Sequence, residues 1–196
     1  MMTALATVAD VAARLGRSVA DDEQLRIEAF LADVSALVRD HCGLDFALHQ
    51  DEAVRLEPVG GAELVLPHRL RPISAVHTAS WADGSPVDRW FYSRGSLWRA
   101  DGWVHIEGQE HERHITITAT YGYPAVPEIV IGTVCAEVIR WLAVQPGVMS
   151  ERVGEMEISY GATAPTQGLS PAALAALRRY RRTVVSRDVW RPPVLR

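Results

Sequence analysis

The feature that most constrains the fold is a change in hydrophobic periodicity along the chain. Residues 8–15 and 21–42 carry apolar side chains at helical spacing. From about Asp51 to Tyr123 the pattern becomes a series of short period-two runs separated by Gly, Pro and Asp, which is typical of antiparallel strands. A helical pattern returns after Pro127. The sequence therefore predicts an α+β fold, a mainly α-helical core with an inserted antiparallel β-module.

Capping residues predict where the first two helices begin and end. Thr7 and Asp10 have the spacing of a capping box, with Asp in place of the usual Glu or Gln. Asp21 or Asp22 is expected to cap the second helix, and Gly43 to end it. The two cysteines of the chain have no metal-ligand spacing and are expected to be buried as small apolar side chains.

The third predicted helix opens at Pro127 and runs to about Val144. It is apolar on most of its circumference, beside a strip of small residues formed by Gly132, Ala136 and Ala143. Such a helix lies at the centre of a domain or is covered by another subunit, and small residues let a neighbouring backbone approach closely. We predict that these three residues form a subunit interface.

The C-terminal part of the chain is basic, whereas the rest is acidic. Residues 1–177 hold 13 arginines against 23 acidic residues, and residues 178–196 hold 7 arginines against Asp188 alone. The net charge of the whole chain is only -4, so a general polybasic nucleic-acid binder is excluded. A basic end segment favours docking onto a negatively charged partner.

Ser170 and Pro171 predict the N-cap and first position of a last helix through Thr183, which is followed by an extended, Pro-stiffened segment. The arginines of that helix are expected to share a cationic face opposite its apolar one. An extended apolar segment with prolines is a candidate docking peptide. The predicted docking residues are Arg178, Arg179, Arg181, Arg182, Arg187, Trp190, Arg191, Pro192, Pro193, Val194 and Leu195.

The sequence lacks the common catalytic motifs. It contains no P-loop, GxGxxG, GxSxG or HExxH pattern, and we expect neither enzymatic activity nor a cofactor. A metal-dependent enzyme is an alternative, because three histidines lie within ten residues of each other: His105, His111 and His114. The surrounding sequence is more typical of a polar hairpin loop. The tryptophans of the β-module are expected to pack against its sheet and not to stack on bases; they are Trp81, Trp90, Trp98 and Trp103.

The order of these elements resembles the head-to-tail adaptor (connector) family of long-tailed bacteriophages, above all its members with a β-insertion. Six stretches carry the resemblance: Ala6–Asp10, Leu31–Gly43, Leu64–Val76, Ile117–Pro127, Ser150–Tyr160 and Leu174–Arg181. The β-module is long and tryptophan-rich compared with that of the smallest members.

This resemblance implies a structural virion protein. Family members form a ring of about a dozen copies beneath the portal after DNA packaging. The ring extends the DNA channel and offers a surface to the next tail-side neck protein, the stopper. The implied partners are therefore the portal protein, the stopper, other copies of the chain in a dodecameric ring, and genomic DNA that passes through without sequence-specific binding. The protein would be assembled in the cytoplasm of the bacterial host.

Four segments follow from this interpretation. They are residues 1–50 and 124–185 as the two helical parts of the core, 51–123 as the β-module and 186–196 as the docking tail. No run approaches the roughly 18 to 20 apolar residues of a membrane helix, and the N-terminus lacks the features of a signal peptide. The alternative function is a DNA-binding or packaging-associated protein that uses the C-terminal arginines on phosphates.

Overall fold

The computed structural model describes residues 3–58, 60–103, 114–143, 150–153, 156–159 and 168–181. These ranges hold four α-helices: α1 (Val8–Leu15), α2 (Asp21–Cys42), α3 (Glu128–Leu142) and α4 (Pro171–Leu177). They also hold eight strands: β1 (Leu48–Leu56), β2 (Glu63–Val65), β3 (Ile73–Trp81), β4 (Trp90–Ser93), β5 (Ser96–Arg99), β6 (Ile115–Gly122), β7 (Ser150–Val153) and β8 (Met156–Ser159). Three antiparallel sheets result, with the strand orders β1-β6-β3, β2-β5-β4 and β7-β8.

The capping residues predicted for the first two helices are confirmed except at the start of α2. Thr7 and Asp10 form the expected capping box: the Asp10 amide donates to Thr7 Oγ1 (3.1 Å), and the Thr7 amide donates to the Asp10 carboxylate (2.8 Å). The expected cap at Asp21 or Asp22 is wrong, because Ala20 is the N-cap and makes no side-chain hydrogen bond. The two carboxylates lie in the first turn of α2, where they interact favourably with the helix dipole.

The helices bury one hydrophobic core with α3 at its centre. Val130, Val134 and Val138 of α3 are fully buried against α1 and α2. Trp141 meets Phe30 of α2 edge to face, with 5.5 Å between the ring centroids. Both cysteines, Cys42 and Cys135, are buried in this core, as expected.

The strands between α2 and α3 build a second hydrophobic core. On β6 the odd-numbered residues from Ile115 to Tyr121 are buried, whereas the intervening threonines are half-buried on the other face. Trp103 is 1% exposed and donates its indole N–H to the Ala62 carbonyl (3.0 Å). Trp81 and Trp90 also pack against this core. The prediction that these three tryptophans serve packing is therefore confirmed.

The predicted α+β class is confirmed, but the description as mainly α-helical is not supported. The two three-stranded sheets enclose a hydrophobic core of their own, separate from the core between the helices. The β part is therefore more than an insertion into a helical core. The division of the chain into four segments stays a prediction.

Two close backbone approaches to Ala47 fix the chain between the end of β6 and the start of α3. Gly122, at the end of β6, has a φ of +90°, and a Cβ there would lie 1.8 Å from the Ala47 carbonyl oxygen. Only glycine permits this close crossing of two backbones. The Tyr123 amide then donates to the same Ala47 carbonyl (3.3 Å), which fixes the residues leading into α3.

A buried carboxylate of α3 positions α4. Glu137 is 3% exposed, accepts two hydrogen bonds from Arg140 (2.6 and 2.9 Å), and accepts from both the amide and the hydroxyl of Ser170. The Ser170 hydroxyl in turn accepts from the Ala173 amide (3.1 Å), as the predicted N-cap of α4. The first turn of α4 is thereby tied to the middle of α3.

Candidate docking site

The predicted cationic helix through Thr183 is not formed. The α-helix ends at Leu177, residues Arg178–Tyr180 form a 3₁₀ turn, and Arg181 is extended, with φ -73° and ψ 143°. The arginines therefore do not line one face of a continuous helix. Arg178, Arg179 and Arg181 are nevertheless exposed at this end of the molecule.

Contacts of Tyr180 explain the early end of α4. Its side chain is 5% exposed and meets the rings of Phe46 and Tyr123 edge to face, with centroid distances of 5.5 and 6.1 Å. Its carbonyl accepts a hydrogen bond from His68 Nε2 (3.0 Å), which also donates to the Cys42 carbonyl (3.2 Å). These tertiary contacts hold the backbone in the tighter 3₁₀ turn, which outweighs the weak local preference for helix.

Arg179 has a packing role in addition to its charge. Its guanidinium lies 4.7 Å from the centre of the Tyr180 ring and donates to the Tyr180 hydroxyl oxygen. A guanidinium at this distance from an aromatic face gains a cation–π attraction. Arg178 and Arg181 are also exposed. Among the described residues, neither makes a cation–π contact.

The other predicted docking residues lie outside the described residues. They are Arg182, Arg187, Trp190, Arg191, Pro192, Pro193, Val194 and Leu195.

The predicted interface strip on α3 faces away from the helical core. Ala136 and Ala143 are exposed and Gly132 is half-buried. Apart from its chain neighbours and the adjacent backbone of α3, no heavy atom of the described residues lies within 4 Å of a Cβ built on Gly132. Ile129, one turn before Gly132, is 43% exposed. One face of α3 is therefore small and apolar, and it is not covered by the described parts of the chain.

A groove beside the C-terminal arginines was not predicted from the sequence. It has a volume of about 550 Å³ and is lined by Tyr123, Pro124, Ala125, Pro127, Arg179 and Tyr180. We call it the Tyr–Pro groove. Its only sequence signal is the Tyr-Pro-Ala-Val-Pro stretch before α3. The other lining residues lie more than fifty positions later in the sequence, so their contact with this stretch can be seen only in the folded structure.

A second unpredicted cluster lies where α2 leads into β1. His49 donates Nε2–H to Asp45 (2.6 Å) and Nδ1–H to Glu52 (2.5 Å), and its ring stacks on Tyr121 at 4.5 Å. Partial burial alone would lower the pKa of His49, but the hydrogen bonds to the two carboxylates outweigh burial and raise that pKa above its usual 6.5. Burial and the nearby Glu52 raise the pKa of Tyr121 to about 12. The cluster places the His49 imidazole between two carboxylates, at the point where the chain passes from α2 to β1.

The described ranges contain no group of three or more His, Cys, Asp and Glu side chains placed to hold a metal ion. Of the histidines considered as a metal site, His114 is described, whereas His105 and His111 are not. The metal-site alternative therefore stays untested. Among the helices of the described residues, none has the length and apolar character needed to cross a membrane.

The fold is similar to that of chains from phage-like particles. One such chain belongs to the neck of an empty GTA particle computed with C6 symmetry. It superposes with a TM-score of 0.54 at 16% identity, over 92% of this chain and 91% of that one. Another belongs to the virion of a native gene transfer agent (GTA) particle, with a TM-score of 0.50 at 17% identity, over 94% and 97% of the two chains. No protein-family model matches the sequence, and no curated protein matches it. At these identities the likeness establishes a shared fold.

Proposed function

We propose that this chain is a structural neck protein of a tailed phage-like particle, a head-to-tail adaptor that forms a ring beneath the portal and joins capsid to tail. The observation that carries the proposal is the whole-chain similarity to a chain in the neck of a GTA particle, which covers more than nine tenths of both chains. That neck was computed with C6 symmetry, and a six-fold axis is compatible with a closed ring whose copy number is a multiple of six, such as twelve. In this role the chain is a virion component without enzymatic activity or cofactor.

The exposed strip of α3 supports the ring. Gly132, Ala136 and Ala143 form the surface that we assign to the neighbouring copy, because small side chains allow two elements to approach closely. A heterologous contact of this kind closes into a ring when the rotation between copies is right.

The C-terminal arginines support docking to the portal. Arg178, Arg179 and Arg181 are exposed on a turn that Tyr180 anchors in the core, and the segment that follows them continues the basic run. Complementary charge guides such docking and speeds association. The acidic body suits a channel through which genomic DNA slides, because phosphate neutralisation by arginine is what holds DNA to a protein. The remaining end of the ring would meet the stopper.

Portal binding tests the proposal. The double substitution Arg178→Ala and Arg181→Ala removes two exposed cations and leaves Arg179 on Tyr180. We expect it to weaken binding to the cognate portal ring about tenfold, measured by biolayer interferometry. The matched control, Arg55→Ala with Arg69→Ala, removes two exposed arginines elsewhere and should bind as the parent does. Equal binding by all three proteins would contradict the docking assignment.

Binding to DNA is the second candidate function, favoured by the same exposed arginines. It requires an affinity for duplex DNA that falls with salt, with a slope of about -0.9 per phosphate neutralised. A filter-binding titration at low and moderate salt separates the two functions. Tight DNA binding without portal binding would favour the second.

A further inference from the structure

The Tyr–Pro groove has the composition of a site for an extended, proline-containing peptide. The half-buried Tyr123 contributes aromatic surface, Pro124 and Pro127 contribute rigid apolar surface, and Arg179, stacked on the buried ring of Tyr180, closes one side. Grooves lined by aromatic residues are the usual receptors for polyproline-type segments, which lose little conformational entropy on binding.

Two lining residues of the groove pack against the helical core. Tyr180 is buried and contacts both Phe46 and Tyr123, and the rings of Phe46 and Tyr123 lie 5.7 Å apart. Arg179 is fixed on the Tyr180 ring. A preformed groove binds an extended segment with a smaller entropic penalty than a groove that must first order.

The chain itself carries a matching segment. Residues 190–195 read Trp-Arg-Pro-Pro-Val-Leu, in which two adjacent prolines favour the polyproline conformation. The described chain stops at Arg181, next to two lining residues of the groove, and fifteen residues follow it in the sequence. The eleven residues that follow Arg181, up to and including Pro192, can span up to about 36 Å, which is ample for a return to the groove.

Charge acts in two directions on this occupant, because Arg179 in the lining repels an arginine of the segment whereas a neighbouring carboxylate attracts it. Glu128 is exposed and directly follows Pro127, a lining residue, in the sequence. Arg191 directly precedes the two prolines of the segment. An arginine and a carboxylate that meet at the rim orient a bound peptide.

We propose that the Tyr–Pro groove binds the Trp190–Leu195 segment of its own chain in an extended, polyproline-like conformation. The inference goes beyond the adaptor role and does not depend on it. Its consequence is that the tail lies on its own subunit until a partner displaces it from the groove.

Disulfide trapping in the full-length chain tests this inference. Ala125 lines the groove and is exposed, so the pair Ala125→Cys with Val194→Cys places one thiol in the site and one in the segment. Both native cysteines are buried, and burial raises the pKa of Cys42 to about 11 and raises that of Cys135. They therefore stay largely unreactive at pH 8.

Ala143 supplies the matched control. It is exposed at the opposite end of the 15-residue α3, roughly 22 Å from the groove, so the pair Ala143→Cys with Val194→Cys reports random collisions of the tail. We expect the groove pair to form an intrachain disulfide at least about tenfold faster than the control pair, as measured by gel mobility and intact mass. Replacing Pro192 and Pro193 by glycine in the groove pair should slow trapping about fivefold, because glycine raises the entropy of the free segment.

Three results would overturn the inference. Equal trapping rates for both pairs would mean that the tail has no preferred site. Trapping of the groove pair only as covalent dimers would assign the groove to a second copy. A rate unchanged by the two glycines would exclude recognition of the polyproline conformation. Circular dichroism melts of each variant confirm that the fold is retained.

Discussion

His49 is the residue whose protonation is most directly tied to the fold. Its imidazole connects Asp45, in the loop after α2, to Glu52 on β1 and stacks on Tyr121 of β6. Its side chain is 26% exposed, so solvent screens these contacts only in part. The imidazole therefore links the loop after α2 to strands β1 and β6.

The raised pKa of His49 predicts a pH-dependent stability. A group whose pKa is higher in the folded state stabilises the fold fully below its unfolded pKa, near 6.5, and loses that contribution as the pH rises through the folded value. The free energy of unfolding should therefore fall as the pH rises from 6 to 8.5, measured by urea denaturation, and the fall should be smaller in His49→Gln. Parallel pH profiles for the parent and the variant would show that His49 contributes nothing to the dependence.

Glu137 is the residue on which the position of α4 depends. Glu137→Ala should lower the free energy of unfolding by about 3 kcal/mol, because it leaves Arg140 half-buried without its partner and removes the acceptor of Ser170. Glu28 is an exposed glutamate of α2, and Glu28→Ala is the control, with an expected change within about 0.5 kcal/mol. Equal urea midpoints for the two variants would contradict this role of Glu137.

At the scale of elements, local signals were enough to place most of the helices. The capping box at Thr7, the glycine after α2 and the Ser-Pro start of α4 all act where the sequence predicts them. Each signal involves residues within about one helical turn of each other, so it can be read without the fold. The start of α3 directly after Pro127 belongs to the same class.

The end of α4 could not be predicted in this way. The sequence from Pro171 to Thr183 has a helical pattern, yet the helix stops at Leu177 because Tyr180 packs on Phe46 and Tyr123 and is hydrogen-bonded by His68. These partners lie 57 to 134 positions away in the sequence. The long-range pairing of Glu137 with Ser170 was missed for the same reason.

The candidate docking site was predicted in part. The α3 strip was identified from helical spacing, and the exposure of Ala136 and Ala143 agrees with a surface free to meet another molecule. The exposed positions of Arg178, Arg179 and Arg181 agree with the basic composition, although not with the predicted helical face. The Tyr–Pro groove was missed because it forms only where two distant segments meet.

At the scale of the whole molecule, we expect copies of the chain to associate through the α3 strip. Ala136→Arg places a long cation on the exposed strip and should leave the melting temperature of the free chain unchanged within about 2 °C. It should reduce the number of copies bound per portal ring, counted by native mass spectrometry, because a neighbouring backbone can no longer approach. Ala100→Arg, at an exposed turn of the β-module, is the control and should assemble as the parent does. Full occupancy with Ala136→Arg would place the interface elsewhere.

The central claim is that this chain completes the neck of a phage-like particle by forming a ring on the portal. Electron microscopy of the purified chain mixed with its cognate portal ring tests it most directly, with a version truncated after Ser186 imaged in parallel. The account predicts an added layer of density, with the rotational symmetry of the portal, at one end of the ring with the intact chain and not with the truncated one. Portal rings left bare by the intact chain would contradict the adaptor function and leave the likeness to neck proteins as one of fold alone.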